Sequence, residues 1–257
     1  MLLHHEVSGE GAPLILLHGL LGSSRNLGMV ARELSEYFQV CSVDLPNHGK
    51  SPRSTECGFA VLADAVHAVA ESLDWQRYSL LGHSLGGKVA MRLALEHAHS
   101  VDRLLVEDIA PVDYPPHHTG ILEAMRSIQL EALESRSEAK GMLMDKLDDE
   151  PTVNFIVQNL RGRKGGFYWL ADLDNISACY PSYCLRPFES AEGDAFNGPT
   201  LFVGGGRSNY IQAEHQSAIK ASFPNAKYRQ IEGAGHVIHA EKPALFASVA
   251  KRFFIKQ

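Results

Sequence analysis

Gly82-His-Ser-Leu-Gly86 is the stretch whose residue types most directly suggest chemistry. It fits the G-x-S-x-G pattern of a nucleophile elbow, a sharp strand-to-helix turn that lifts a serine hydroxyl to the rim of a sheet. Residues 78–81 before it read as a short buried strand. From Gly87 onward, Val89, Ala90, Leu93 and Ala94 fall at helical spacing. Five such residues alone describe many surface turns, so the flanking strand and helix carry the weight. A serine in this position could attack a carbonyl carbon. Acyl transfer of that kind also needs a general base, a group orienting the base, and donors for the developing oxyanion.

Among thirteen histidines, His236 is the best candidate base, because Glu232-Gly-Ala-Gly-His236 is a glycine-rich loop directly after the last strand. His239 is its local rival, closer to the final helix. The orienting acid is less obvious. The expected chain order is serine, acid, histidine, with the acid in the loop after the next-to-last strand. Residues 204–210 contain no carboxylate; Asp194 comes too early and Glu214 falls inside a helix. Asp108, ending the preceding strand, is the choice, and Asp113 the second choice. Glu107 should point to the opposite face, since side chains alternate along a strand. Ser208 occupies the place of the usual acid, either hydrogen-bonding the histidine–acid pair or serving as an ordinary loop serine. The oxyanion donors implied are the backbone N–H groups of Leu85, after the nucleophile, and Leu20, after His18-Gly19. His18 itself reads as a structural residue.

These residues need a scaffold, and the order of elements supplies one. Strands over 2–7, 14–17, 38–43, 78–81 and 101–106 alternate with amphipathic helices over 24–37, 59–73 and 87–98, which predicts a doubly wound, mostly parallel α/β sheet. His18, Asp44, Ser84 and Asp108 all fall at carboxyl ends of strands, where ligand chemistry sits in such sheets. The rhythm breaks after Ile109. Residues 112–196 are expected to form an α-helical cap inserted into a core of residues 1–111 and 197–257. Within it, Arg161-Gly-Arg-Lys-Gly-Gly166 reads as a basic flexible turn before an aromatic segment. Strands over 199–203 and 226–231 and helices over 213–223 and 242–254 complete the core.

Composition bounds the function. The 257 residues carry a formal net charge of -6, with 45% hydrophobic and 21% charged residues, which argues against a general nucleic-acid binder. No apolar run reaches membrane-spanning length. The start, Met1-Leu-Leu-His-His-Glu-Val, does not read as a signal peptide. Cys41, Cys57, Cys179 and Cys184 show no C-x-x-C spacing and are expected to be free thiols in a reducing cytoplasm. A monomer or small homo-oligomer acting on small molecules is expected.

Together, His18-Gly-Leu-Leu-Gly-Ser23, Asp44-Leu-Pro-Asn-His-Gly-Lys-Ser51, Gly82-His-Ser-Leu-Gly-Gly87 and Gly233-Ala-Gly-His236 resemble an α/β-hydrolase over nearly the whole chain. Val106-Glu-Asp-Ile-Ala-Pro-Val-Asp-Tyr114 and Gly206-Arg-Ser-Asn-Tyr-Ile211 are similar to the small bacterial esterases of the YbfF type. That resemblance implies ester hydrolysis, with thioesterase activity on acyl-CoA, through Ser84, Asp108 and His236, with Ser208 as an accessory fourth member. It implies no metal and no organic cofactor. Arg161, Arg163 and Lys164 would then either meet CoA phosphates or form a solvated turn. The competing readings are carbon–carbon bond hydrolysis or perhydrolysis on the same fold, and a non-catalytic binding protein that keeps the pocket.

Overall fold

The computed structural model describes residues 2–188 and 195–255. Residues 189–194, which the sequence reading assigns to the cap and which include Asp194, lie outside the described residues. In chain order the elements begin with β1 (His5–Ser8), β2 (Ala12–Leu17), α1 (Gly28–Leu34), β3 (Phe38–Val43), α2 (Phe59–Ser72), β4 (Tyr78–His83), α3 (Leu85–Glu96) and β5 (Val101–Glu107). Next come α4 (Thr119–Arg126), α5 (Arg136–Met144), α6 (Glu150–Val157), β6 (Leu160–Arg163), β7 (Gly166–Trp169) and α7 (Leu173–Cys184). The chain then returns through β8 (Thr200–Gly205), α8 (Gln216–Ser222), β9 (Ala226–Ile231), α9 (Ile238–Glu241) and α10 (Pro243–Ile255).

Seven strands form one sheet in the order β1-β3-β2-β4-β5-β8-β9. All neighbours run parallel except β1, which pairs antiparallel with β3 at the edge. The central strands are continuous apolar runs because helices cover both faces. Their two-residue period sorts them cleanly. Ile15, Leu17, Leu80, Leu104 and Val106 pack with α2 and α3 on one face, whereas Leu14, Leu16, Leu81 and Leu105 pack with α1 and α10 on the other. The α/β sheet is therefore the one the sequence predicts.

Several local expectations shift. The helix expected over 24–37 is a 3₁₀ turn, Ser24–Leu27, followed by the shorter α1. The basic turn and aromatic segment pair as an antiparallel β6–β7 hairpin, which turns through Gly165 and Gly166 at φ of 85° and 131°. The cysteine expectation is corrected: Cys57, ahead of α2, is disulfide-bonded to Cys179 in α7, and only Cys41 and Cys184 are free. The partners are 122 residues apart in sequence, so no local spacing could signal the bond.

The excursion between β5 and β8 is tied to the sheet's carboxyl ends. Asn159 Nδ2 donates to the Leu21 carbonyl at 2.5 Å, and the Asp172 N–H donates to the Asn47 carbonyl at 2.8 Å. Among the described residues, no helix is long and apolar enough to cross a membrane.

Candidate active site

The turn at Ser84 is built by glycines that have no room for a side chain. A Cβ on Gly82 would lie 2.3 Å from the Gly86 carbonyl oxygen, and one on Gly86 would lie 2.5 Å from the carbonyl oxygens of Leu17 and His18. Between them Ser84 takes φ of 52°, a left-handed conformation that a non-glycine residue rarely adopts. Its N–H donates to the Glu107 carbonyl at 3.0 Å, and its own carbonyl accepts the Lys88 N–H at 3.0 Å, which starts α3. Leu85 opens that helix, so its N–H has no intrahelical acceptor.

β5 runs beside β4 and ends the same way. Asp108 sits at φ of 51° and is fully buried. One carboxylate oxygen, Oδ1, accepts the Gly205 N–H at 2.9 Å. The other, Oδ2, accepts both the Ser208 hydroxyl and the His236 Nδ1–H at 2.8 Å. Three donors around one buried carboxylate satisfy the charge that burial would otherwise make costly. Tyr210 stacks on the His236 ring with centroids 4.0 Å apart. The Tyr210 carbonyl is itself held by the Tyr114 hydroxyl at 2.5 Å, which also accepts the Ala110 N–H at 2.9 Å. The imidazole is thus fixed in both orientation and tautomer.

The rival groups are engaged elsewhere. Asp113 is exposed and paired with Arg186, whose guanidinium and backbone N–H hold its carboxyl below the usual range. Glu107, the neighbour of Asp108, turns to the opposite face, as strand alternation requires. Its carboxylate accepts the His239 backbone N–H at 2.8 Å and His239 Nδ1 at 2.9 Å. His18 is structural: Nε2 accepts the Leu45 N–H at 3.0 Å and Nδ1–H donates to the Gly19 carbonyl at 2.8 Å. Burial lowers its pKa, favouring the neutral ring this pattern requires. Asp44 pins the following loop by accepting the N–H groups of Ser24 at 2.6 Å and Lys50 at 2.8 Å. Burial works to raise the Asp44 carboxyl, but those hydrogen bonds outweigh it and hold it low.

Leu20 reaches the same place from the β2 side. The loop passes so close to the elbow that a Cβ on Gly19 would stand 3.3 Å from the Ser84 Cβ. Leu20, Ser84 and Leu85 share a small cavity of about 40 Å³ with Tyr114, Tyr180 and Tyr210. A larger cavity of about 560 Å³ opens between α4 and α7, lined by Leu122, Ser177 and Pro181, and shares Tyr180 and Cys184 with the smaller one. Among the described residues no hydrogen bond joins the Ser84 hydroxyl to His236 Nε2. Catalytic hydrogen bonds in free enzymes are commonly long and tighten only around substrate.

Lys88 is the site residue that sequence reasoning missed. It lies one helical turn after Ser84, is only 2% exposed and lines the small cavity. Its ammonium donates to the carbonyls of Tyr183 at 3.3 Å, Cys184 at 3.2 Å, and Leu185, capping the C-terminus of α7. Burial brings its pKa down to about 8. Its sole mark in the sequence is its place just after the elbow. The basic hairpin stands apart: Arg161 donates to the carbonyls of Gln158 and Leu160, Arg163 faces Glu131 at 3.7 Å, and neither arginine lines either cavity.

Comparison with known proteins agrees with this architecture. The family described as alpha/beta hydrolase fold matches residues 12–243. A putative esterase/lipase of Haemophilus influenzae is 34% identical over 245 residues, covering 95% of this chain and 83% of the relative. Esterase YbfF of Escherichia coli is 30% identical, covering 95% and 93%. The sn-1-specific diacylglycerol lipase ABHD11 of Mus musculus is 32% identical, covering 93% and 80%. In three dimensions, a marine microorganism esterase superposes with a TM-score of 0.94 at 33% identity, covering 98% of this chain and 99% of its own. With its parallel sheet, its glycine-framed elbow and these relatives, the chain belongs to the α/β-hydrolase fold family.

Proposed function

We propose that the protein is a serine hydrolase of carboxylic esters, a carboxylesterase that works through an acyl-serine intermediate. One observation carries this reading. Asp108 Oδ2 holds the Nδ1 side of His236 at 2.8 Å, on the strand next to the elbow that presents Ser84. In this reading Ser84 Oγ attacks the ester carbonyl carbon and passes its proton to His236 Nε2. Asp108 keeps the Nδ1–H in place and stabilises the imidazolium that forms. The Leu20 and Leu85 N–H groups receive the oxyanion, and losing one such donor typically costs ~3 kcal/mol of transition-state stabilisation. Collapse of the intermediate expels the alcohol, which takes its proton from His236. Water then attacks the acyl carbon as the same imidazole takes its proton; the bond to Ser84 Oγ breaks, the acid leaves, and His236 returns the proton to Ser84 Oγ. Ser208 steadies Asp108.

Residues 112–196 serve as a cap on a core of residues 1–111 and 197–257. Tyr180, Tyr183 and Cys184 of α7 join Ser84 around the small cavity, which supports that division. Thioesters, including acyl-CoA, are open to the same attack. The similarity to the esterases and lipases above supports ester hydrolysis more directly.

The test is a panel of p-nitrophenyl esters and acyl-CoA thioesters of graded length, assayed beside Ser84→Ala. The account expects ester turnover that Ser84→Ala abolishes. Turnover retained by Ser84→Ala, or binding without turnover, contradicts it.

A further inference from the structure

One residue before the catalytic pair lies a second pair. His83 and Glu107 are register partners at the last position of β4 and β5, with Ser84 and Asp108 following each directly. Both second-pair side chains are buried; His83 grips the loop that carries His236, and Glu107 grips the start of α9, which follows that loop. His83 Nε2 lies 3.1 Å from the His236 carbonyl oxygen. A carbonyl can only accept, so Nε2 carries the proton. Glu107 takes the backbone N–H and Nδ1 of His239 at 2.8 and 2.9 Å. The His83 ring centroid stands 4.8 Å from both the His236 and the His239 rings.

The other edge of the His83 ring faces the oxyanion loop. A Cβ on Gly19 would come 2.7 Å from His83 Nδ1 and 3.1 Å from Cε1. One ring therefore spans the space between the loop bearing Leu20 and the loop bearing His236, while its own backbone leads straight into Ser84.

We infer that His83 is a positioning residue for hydrolysis: its Nε2–H to the His236 carbonyl, with the Glu107–His239 anchor beside it, sets the reach of the His236 imidazole toward Ser84. The inference rests on the reading of Ser84 and His236 as nucleophile and base. Burial, followed by the neighbouring His236 and His239, pushes the His83 pKa well below its ordinary value, consistent with a neutral ring. The titratable groups around the His236 imidazole are Asp108, His83, Tyr210 and, at longer range, His118. His83 does not line the cavity at Ser84, so its loss acts on turnover rather than on substrate binding.

The test compares His83→Gln with His83→Asn on p-nitrophenyl acetate. A glutamine amide can reach the donor position of Nε2, whereas the shorter asparagine cannot. His83→Asn should lower kcat by up to about 10²-fold, the scale of a 1 Å misplacement, with KM little changed. It should also move the acid limb of the pH–kcat/KM profile to lower pH, because a slackened Asp108–His236 contact stabilises the imidazolium less. His83→Gln should keep kcat within about threefold of wild type, a difference of about 0.65 kcal/mol. Equal kcat in His83→Asn and wild type, or equal losses in His83→Asn and His83→Gln with an unmoved acid limb, overturns the inference. His236→Ala is measured alongside: if it retains turnover, the assignment of the base fails, which is a separate outcome.

Discussion

The Ser208 hydroxyl donates to Asp108 Oδ2, the same oxygen that faces His236 Nδ1 at 2.8 Å. Ser208 stands where the acid would sit had it followed β8. In the proposed mechanism the acid instead follows β5, and the Ser208 hydroxyl keeps the β8 loop attached to it. The Tyr210 N–H donates to Ser208 Oγ at 3.2 Å, so the loop also holds the aromatic ring stacked on His236.

Ser208→Ala should therefore lower kcat/KM by roughly 10- to 100-fold, since a hydrogen bond to a charged group contributes ~1.5–3 kcal/mol. Asp108→Asn should cost on the order of 10⁴ in kcat, the effect of presenting the wrong tautomer partner to the base. Asp113→Asn should stay close to wild type because that carboxylate serves Arg186. Steady-state kinetics on one ester separate the three. A Ser208→Ala loss as large as that of Ser84→Ala would give Ser208 a core role.

Lys88 predicts a pH dependence of stability. Its folded pKa is about 8 against an ordinary 10.5. A lysine whose pKa falls on folding carries a penalty that is complete below the folded pKa and relieved as pH climbs to the unfolded one. The window is thus about pH 8 to 10.5, and the relief is on the order of 3 kcal/mol. Cys184 and Asp113 oppose the shift. In urea titrations, wild type relative to Lys88→Met should gain stability across that window. A flat difference would mean that the ammonium is not desolvated.

Reducing the Cys57–Cys179 bond should destabilise the fold without touching Ser84. The bond closes a loop of 122 residues. Loop-closure entropy then sets an upper scale of about 4–5 kcal/mol. Dithiothreitol should lower Tm by roughly 10 °C in wild type and leave a Cys57→Ser, Cys179→Ser variant unmoved. Equal shifts in both proteins would contradict the linkage.

The two cavities predict a length filter. The cavity at Ser84 is about 40 Å³ and the one beyond Tyr180 and Cys184 about 560 Å³, so the proposed mechanism predicts that longer acyl groups extend into the second. Ser177 lines that cavity with a buried hydroxyl that has no partner among the described residues. Ser177→Phe should lower kcat/KM for eight-carbon and longer esters by about 10-fold or more, the scale of ~1.4 kcal/mol of lost burial. Acetyl esters should be hydrolysed at the wild-type rate. Uniform losses at every length would rule out the filter.

How much of this was legible in the sequence follows from where each signal lies. The strands under the site are apolar runs such as Leu14–Leu17, and their burial on both faces makes them readable without partners. Elbow geometry was readable because Gly82 and Gly86 are demanded by backbone contacts of under 3 Å. The grouping of Asp108, Ser208 and His236 could be reasoned from the missing carboxylate after β8. What escaped depends on distant residues. Helix α4 stops at Arg126, where Trp169 takes the Met125 carbonyl at 3.2 Å and Phe167 takes that of Leu130 at 3.1 Å. These contacts join the end of α4 to β7 across about forty residues, which no local pattern can signal. Lys88 escaped because lysine is an exposed residue by default, and distant groups, the carbonyls ending α7 and the Tyr114 ring 4.9 Å from its ammonium, make its burial tenable.

The central claim is that Ser84 becomes acylated. Mass spectrometry of the protein quenched during turnover of p-nitrophenyl acetate tests it most directly. The account predicts one acetyl group on the peptide containing Ser84, accumulating in His236→Ala less than in wild type and absent from Ser84→Ala. Turnover with no acetyl on Ser84, or turnover surviving in Ser84→Ala, would contradict it.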